Sequence, residues 1–379
     1  MENKWSEREA RQFTVRYARQ GIAEDMALRV YSSQLLGQEH KLVIHGGGNT
    51  SVKTTCSFNG DQIEVLCVKG SGWDLGTIEP AGLPAVKLEP LRKLVKLESL
   101  SDEDMVNIQR TNLLDASAPN PSVETLLHAF LPYKFIDHTH SNAILTLCNQ
   151  LDGEKVCQET FGDQLIYVPY IMPGFSLAKN CRILFDKSIA NINPDPLGML
   201  LLNHGLVTFG DSAIEAYTRM IDLVSQAEKK IDELRHKPIL QKTYPSEIES
   251  IEKIAPVLRG ILSSSGLQNR KKKRNLILEF RNSESIQEYV NGSNLHIYSQ
   301  KGTVTPDHVI RIKPKPLILD CPVAGNLDDW QAGARKLTNE YIEKYKNYFL
   351  NNNANYGHKK EALDPAPVVI LIPKVGLVA

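Results

Sequence analysis

Three histidines are the residues of this chain of 379 residues that are best suited to chemistry. His138 and His140 stand two positions apart in the segment 135–140, whose alternating pattern predicts a strand. Side chains at positions i and i+2 of a strand point to the same face, so the two imidazoles can share one divalent metal. His204, which is followed by Gly205 where a tight turn is expected, is the third candidate ligand. Three imidazoles with an open fourth position are typical of catalytic zinc, whereas the alternative is unrelated core or surface histidines.

Glu124 is the candidate for proton transfer. It follows Pro121 and Ser122 at the start of a segment, Val123–Phe130, that predicts a helix. A carboxylate aimed at a metal can act as general acid and base. The alternative is an acidic residue that the helix dipole favours in the first turn.

Two glycine-rich loops are candidates for binding an anion. The first is Gly46-Gly47-Gly48-Asn49-Thr50-Ser51, and the second is Lys69-Gly70-Ser71-Gly72. Exposed backbone N–H groups beside hydroxyl side chains form a natural phosphate nest, although most such stretches are ordinary turns. Neither loop matches the P-loop or dinucleotide-binding pattern, so a nucleotide-binding fold is not indicated.

The elements that must position these residues belong to a mixed α/β unit, which we predict to cover residues 1–240. Its predicted strands are Leu42–Ile44, Ile63–Val68, 135–140, Leu165–Pro169, Met199–Leu202 and Leu206–Phe209, and its predicted helices lie in 1–38, 123–130, 143–148 and 212–235. Residues 241–379 predict a second, smaller α/β domain. It has predicted strands at Leu276–Phe280, Leu295–Ser299 and Val368–Ile372, a long helix at Trp330–Phe349, and a polar loop that begins at Asn351–Asn353.

Composition limits the class of protein. Hydrophobic residues make up 42% and charged residues 23%, which is the balance of a soluble globular chain. Lys plus Arg and Asp plus Glu number 44 each, and a chain without a basic surplus is a poor candidate for binding nucleic acid or an anionic membrane. The basic run 270–274 is interpreted as a solvated loop for this reason. The six cysteines form no C-x-x-C pair and the charged start has no apolar signal core, so we expect a cytoplasmic protein with reduced thiols.

The separated motifs occur together, in this order, in a known family. The glycine loops at 46–51 and 69–72, the segment 121–124, the His-x-His pair and Asn203-His204-Gly205 resemble the class II aldolase/adducin family from about residue 25 to residue 235. The closest resemblance is to the aldolase half of fused rhamnulose-1-phosphate aldolase/short-chain dehydrogenase proteins. Residues 302–308 and 366–369 resemble the linker domain of those fusions, and no dehydrogenase activity is expected here.

The resemblance implies a three-layer α/β/α fold, a homo-oligomer and a catalytic metal, Zn²⁺ or another divalent transition metal. It assigns the metal ligands to His138, His140 and His204, the catalytic carboxylate to Glu124, and a candidate base to Tyr170. The substrate phosphate is assigned to a set of loop residues, Gly48, Asn49, Gly70, Ser71 and Ser122. Many members have a second serine directly before the glutamate, where this chain has Val123, so one phosphate hydroxyl is absent.

The implied reaction is cleavage of a ketose 1-phosphate, such as rhamnulose 1-phosphate, into dihydroxyacetone phosphate and an aldehyde through a metal-stabilised enediolate. Epimerisation, decarboxylation or dehydration of a sugar phosphate uses the same site, and an adducin-like interaction protein without chemistry is the alternative of another class. Asp307 and His308, in a Thr-Pro-Asp-His segment, are candidates to cover the active site, and a turn at Thr-Pro is the alternative.

Overall fold

The computed structural model describes residues 1–191, 195–234, 239–264, 276–355 and 357–379. The chain forms two compact units. The first comprises Met1–Arg235 together with Val304–Asp307, and the second comprises His236–Thr303 together with His308–Ala379. The basic run 270–274 lies outside the described residues.

The first unit is built on one seven-stranded sheet. Its strands are β1 (Asn49–Phe58), β2 (Asp61–Val68), β3 (Ala85–Lys87), β4 (Phe135–Thr139), β5 (Leu165–Val168), β6 (Gly198–Leu201) and β7 (Gly205–Gly210). Their order is β3-β2-β1-β4-β7-β6-β5, and all neighbours are antiparallel except β5 and β6. The helices of this unit are α1 (Glu7–Ala18), α2 (Glu24–Gly37), α3 (Leu88–Lys93), α4 (Asp102–Thr111), α5 (Thr125–Phe130), α6 (Asn142–Cys148), α7 (Gly153–Phe161), α8 (Phe175–Asn191) and α9 (Ala213–Leu234).

Helices cover both faces of this sheet. One apolar core joins it to α3, α5 and α8, and another joins it to α6, α7 and α9. Along β7, Val207 and Phe209 belong to the first core and Leu206 to the second, as the alternation of side chains in a strand requires. The predicted three-layer α/β/α arrangement is confirmed. Because β4 lies at the centre of the sheet, its side chains are buried along its whole length.

The prediction of a strand at Leu42–Ile44 is wrong. Leu42 is buried, so its apolar character reflects packing of a loop into the core. The residues that follow interrupt extended backbone, because His45, Gly46 and Gly48 have φ angles of 45°, 86° and 59°. The strand starts only after them, as β1. The glycine loop therefore precedes a strand instead of following one.

The second unit has a four-stranded sheet in the order β8-β11-β10-β9. Its strands are β8 (Phe280–Arg281), β9 (Leu317–Ile318), β10 (Ile370–Ile372) and β11 (Gly376–Val378). The helices after residue 250 are α10 (Ile251–Ser264), α11 (Glu284–Val290), α12 (Leu295–Tyr298), α13 (Pro306–Ile312) and α14 (Leu327–Ala354). Helices α10 and α14 pack against this sheet through one apolar core.

Several boundaries of the second unit differ from the predictions. The predicted strand Leu295–Ser299 is helix α12, because the backbone N–H groups of its third and fourth residues both donate to the Asn294 carbonyl. Of the predicted strand Leu276–Phe280, only Phe280 lies in β8, and Glu279 next to it exchanges two backbone hydrogen bonds with Ala379. The long helix continues to Ala354, through the start of the predicted polar loop, and the buried Asn353 side chain bonds to the backbone of Lys360. Among the described residues, no helix combines the length and apolar character needed to cross a bilayer.

Candidate metal centre

The three predicted histidines lie together in the first unit. His138 is in β4, His140 directly follows that strand, and His204 lies in the turn between β6 and β7. Antiparallel pairing of β4 with β7 brings this turn beside the end of β4. All three side chains are buried, and one nitrogen of each lies within 4.8 Å of the other two. The residue before His204, Asn203, adopts a left-handed φ of 57°, which asparagine tolerates better than most residues do.

Hydrogen bonds fix the tautomers of two of these rings. His138 Nδ1 is 3.1 Å from the carbonyl oxygen of Leu206, and His140 Nδ1 is 2.7 Å from Asp307 Oδ1. Both partners are acceptors, so each Nδ1 carries the hydrogen and donates it. The two Nε2 atoms are left with lone pairs 3.1 Å apart. Two acceptors held this close repel each other unless a cation binds both, so the donor set fits a divalent metal.

Glu124 faces the same space. Its Oε1 is 3.3 Å from His204 Nε2, and its Oε2 is 3.4 Å from His138 Nε2. Burial alone raises the pKa of Glu124, but His138, His204 and His140 outweigh it and bring the pKa to about 2. Burial also lowers the pKa of His138 to about 3, against the attraction of Glu124, and lowers that of His204. The cluster is thus three buried imidazoles beside one ionised carboxylate, which can act as a further ligand or carry a proton.

Asn49 connects Glu124 to the sheet. It is the first residue of β1 and pairs directly with His138 of β4. Its Nδ2 donates to Glu124 Oε2 at 2.6 Å, and its Oδ1 lies 2.5 Å from His128 Nε2. Because Asn49 Oδ1 can only accept, His128 donates from Nε2, and its Nδ1 then accepts from the Ser51 hydroxyl at 2.7 Å. A chain of oriented hydrogen bonds therefore runs from Ser51 to Glu124.

The predicted anion-binding loops lie in the same unit, but much of their backbone is already bonded. The amide of Gly70 donates to Gly82 at 2.8 Å, and that of Ser71 donates to Asn120 at 2.7 Å. Gly48 is buried, and a Cβ there would lie 2.6 Å from the His138 carbonyl oxygen, so glycine permits close packing against β4. Ser71 is exposed, so its hydroxyl is available to bind a ligand.

The remaining predicted site residues differ in exposure. Ser122 is buried, and its hydroxyl accepts from the backbone amide of Glu124 at 3.3 Å. Val123 is 45% exposed, and Tyr170 is 56% exposed with its hydroxyl 3.9 Å from the Met172 sulfur. The substrate roles of Ser122 and Tyr170 stay predictions.

Three residues near the cluster are missing from the predicted site. Asp307, considered in the sequence only as a cover, bonds directly to His140. His128 has a sequence signal, because it stands four positions after Glu124 and so on the same side of a helical turn. Lys69 donates to the Gly46 carbonyl at 2.8 Å. Burial lowers the pKa of Lys69 to about 8, against the attraction of Asp307 and two other carboxylates.

Comparison with known families gives two adjoining matches. The family described as class II aldolase and adducin N-terminal domain matches residues 29–231. The family described as aldolase class II, second domain, matches residues 249–379.

Three known proteins are similar to all or part of this chain. A Bacillus subtilis (strain 168) protein called "Uncharacterized oxidoreductase YuxG" is 35% identical over 358 residues, covering 92% of this chain and 50% of that protein. The chain therefore spans about half the length of this curated relative. The solved N-terminal class II aldolase domain of a conserved protein from Thermoplasma acidophilum is 40% identical with a TM-score of 0.53, covering 61% of this chain and 99% of that one. A solved sugar-phosphate aldolase from Thermotoga maritima is 17% identical with a TM-score of 0.41, covering 56% of this chain and 97% of that one.

Proposed function

The chain belongs to the class II aldolase and adducin family, and from this premise we propose that it is a zinc-dependent aldolase. Its proposed reaction cleaves the C3–C4 bond of a ketose 1-phosphate resembling rhamnulose 1-phosphate and yields dihydroxyacetone phosphate and an aldehyde. The observation that carries the proposal is the convergence of His138, His140 and His204 on one buried space that Glu124 also faces.

The three histidines would hold the metal through ring nitrogens that face this space. When bound, a divalent metal supplies Lewis-acid stabilisation of the negative charge that develops on the substrate oxygens. Neutral imidazoles leave the positive charge of such a metal undiminished. The low pKa of His138, which burial causes, keeps that ring neutral at physiological pH.

Glu124 would carry the proton at carbon. In the condensation direction a base must take a proton from the hydroxymethyl carbon of dihydroxyacetone phosphate. Glu124 is ionised, because its neighbours lower its pKa despite burial, so its carboxylate can accept that proton. In the cleavage direction the same carboxyl group returns that proton to carbon, since forward and reverse reactions share one path. The hydrogen bond from Asn49 holds the carboxylate in one orientation.

The substrate phosphate would bind at the glycine-loop side of the site. Gly48, Asn49, Gly70, Ser71 and Ser122 are the proposed residues, with the exposed Ser71 hydroxyl the readiest donor. Val123 stands where many members have a second serine, so we expect weaker phosphate binding than two hydroxyls would give.

A second proton must leave the C4 hydroxyl, and Tyr170 is the proposed base. Its ring is 56% exposed, a position from which it can serve a neighbouring copy. We propose a cytoplasmic homo-oligomer in which adjacent copies complete each other's site.

The test is release of dihydroxyacetone phosphate from L-rhamnulose 1-phosphate and L-fuculose 1-phosphate, with zinc and with a chelator. Zinc-dependent release that His140→Ala abolishes supports the proposal. His40→Ala is the matched control, because His40 is an exposed histidine of the same unit. Zinc-loaded protein without release would contradict the aldolase and direct assays to epimerisation, decarboxylation or dehydration. Protein that neither retains zinc nor releases product would favour an adducin-like interaction protein.

A further inference from the structure

Asp307 is a buried carboxylate in direct contact with one proposed metal ligand. It is 3% exposed, and its Oδ1 accepts from His140 Nδ1 at 2.7 Å. Its Oδ2 accepts from the backbone amide of Ile44 at 3.3 Å. Both carboxylate oxygens therefore have partners within the first unit, although Asp307 and His140 are 167 positions apart in the chain.

The first glycine loop leaves a space that the Asp307 carboxylate fills. An ideal Cβ on Gly47 would lie 2.1 Å from Asp307 Oδ1, 2.2 Å from its Cγ and 2.3 Å from its Oδ2. Among the described residues, these three atoms are the nearest to that Cβ position, and the φ angle of Gly47 is not in the left-handed region. The requirement for glycine at position 47 thus comes from Asp307 and not from backbone strain.

This contact determines which nitrogen His140 presents to the cluster. A carboxylate only accepts, so His140 Nδ1 must carry its hydrogen and Nε2 must keep a lone pair. That lone pair faces His138 Nε2, 3.1 Å away. A carboxylate behind a ligating imidazole fixes the tautomer and orientation of the ring and increases its basicity.

We propose that Asp307 is a positioning residue of the metal centre, which holds His140 with Nε2 toward the metal. The match to the second family domain covers residues 249–379, so the metal centre of the first family domain is completed by a residue from the second. The inference rests on the metal site of the proposed function but not on the reaction assigned to it.

The alternative role for Asp307 is structural, as an anchor of the segment Val304–Asp307. The two roles predict different consequences. Loss of an anchor lowers stability, whereas loss of a positioning residue lowers metal affinity in a protein that is still folded. Outer contacts of this kind are worth about 10- to 100-fold in metal affinity.

The experiment uses the full chain freed of metal, with Zn²⁺ affinity measured by competition against a chromophoric chelator and Co²⁺ binding followed by visible absorption. We expect Asp307→Ala to bind Zn²⁺ about 10- to 100-fold more weakly and to alter the Co²⁺ bands. Asp307→Asn, which keeps an acceptor but loses the charge, should fall between Asp307→Ala and the unsubstituted chain. Circular dichroism checks that each variant is folded.

Gly47→Ala provides an independent second variant. The added methyl displaces the Asp307 carboxylate, so Zn²⁺ affinity should fall although no polar group is removed. Once Asp307→Ala has removed the carboxylate, Gly47→Ala should cause no further loss, and the two effects should be non-additive. Fully additive losses would overturn the proposal.

Glu249→Gln is the matched control. Glu249 is also a buried carboxylate that accepts from a backbone amide, that of Gly325 at 2.6 Å, but it lies in the second unit. The Glu249→Gln variant should bind Zn²⁺ with the same affinity as the unsubstituted chain. Unchanged affinity in folded Asp307→Ala, or equal loss in Glu249→Gln, would overturn the proposal. An unsubstituted chain that binds no metal would overturn both proposals, whereas one that binds Zn²⁺ but releases no product would overturn only the aldolase.

Discussion

Asn49 and His138 stand directly opposite each other in the antiparallel pair of β1 and β4. This register places the Asn49 side chain where its Nδ2 reaches Glu124 at 2.6 Å and its Oδ1 reaches His128 at 2.5 Å. One strand pairing therefore positions both a proposed metal ligand, His138, and the hydrogen-bond partner of the proposed catalytic carboxylate, Glu124. Substitutions in the series of hydrogen bonds that orients Asn49 should therefore change turnover more than they change metal binding.

Replacing His128 by Leu tests the role of these hydrogen bonds. Burial lowers the pKa of His128 to about 3, so the ring is neutral and its Nε2 hydrogen holds the Asn49 amide in place. Without it the amide can rotate, and we expect kcat to fall about tenfold with little change in KM or zinc content. Steady-state kinetics and metal analysis check this, with His40→Leu as the exposed control. A tenfold rise in KM at constant kcat would instead assign His128 to substrate binding.

Replacing Glu124 by Gln separates proton transfer from metal binding. The amide keeps the shape of the side chain but cannot take up a proton, so we expect turnover to fall by about 10²- to 10⁴-fold. The three histidines remain, so part of the zinc should be retained. Glu98→Gln, on the exposed surface, is the control. If turnover stays within threefold of that of the unsubstituted chain, the proposed acid–base role of Glu124 is wrong.

The buried Lys53 makes stability depend on pH. Burial lowers its pKa from 10.5 to about 7, and its ammonium donates to the Tyr133 carbonyl at 2.6 Å. Between these two pKa values the unfolded chain binds more protons than the folded chain, so stability rises with pH through this window and is flat below it.

Comparison with Lys53→Met isolates this contribution. Relative to the variant, the unsubstituted chain should gain about 2 kcal/mol in the free energy of unfolding between pH 7 and pH 9. Urea unfolding of both proteins at the two pH values measures it. A difference between the proteins that stays constant with pH would show that Lys53 titrates normally in the folded chain.

The sequence predicts the histidine cluster well because its signal is local. The i, i+2 spacing of His138 and His140 places both side chains on one side of the chain at the end of β4, and the turn at His204 follows from its neighbouring glycine. Asp307 has no such signal. Its contact spans 167 positions and depends on where the segment Val304–Asp307 packs, which no local pattern encodes.

The wrong element predictions have a similar cause. Leu42–Ile44 is apolar because a loop packs into the core, and a short apolar run does not distinguish that from a strand. Leu295 and Tyr298 are spaced by three, which one helical turn satisfies as α12. The positive φ angles at Gly46 and Gly48 belong to the turn that precedes β1, so the strand begins at Asn49. The pairing of β1 with β4 then places Asn49 opposite His138.

The strand that carries His138 is supported by a fully buried ion pair. Arg29 Nη2 lies 2.6 Å from Asp137 Oδ1, and neither side chain is exposed. Burial lowers the pKa of Arg29 and raises that of Asp137, and each partner opposes the shift in the other. Arg29 also donates to the carbonyls of Ser51 and Ile136, which joins α2 to β1 and β4.

Replacing one partner of this ion pair should lower the free energy of unfolding more than replacing both partners. Asp137→Leu leaves the Arg29 charge buried without its partner, and we expect a loss of about 3 to 5 kcal/mol in the free energy of unfolding. Arg29→Met combined with Asp137→Leu removes both charges and should recover most of that loss, because apolar side chains of similar volume replace a pair whose desolvation is costly. Urea unfolding of the single and double variants measures the coupling. Because Asp137 and His138 point to opposite faces of β4, the folded double variant should still bind Zn²⁺. A double variant as unstable as Asp137→Leu alone would mean that the remaining contacts of Arg29, and not its charge pairing, support the strand.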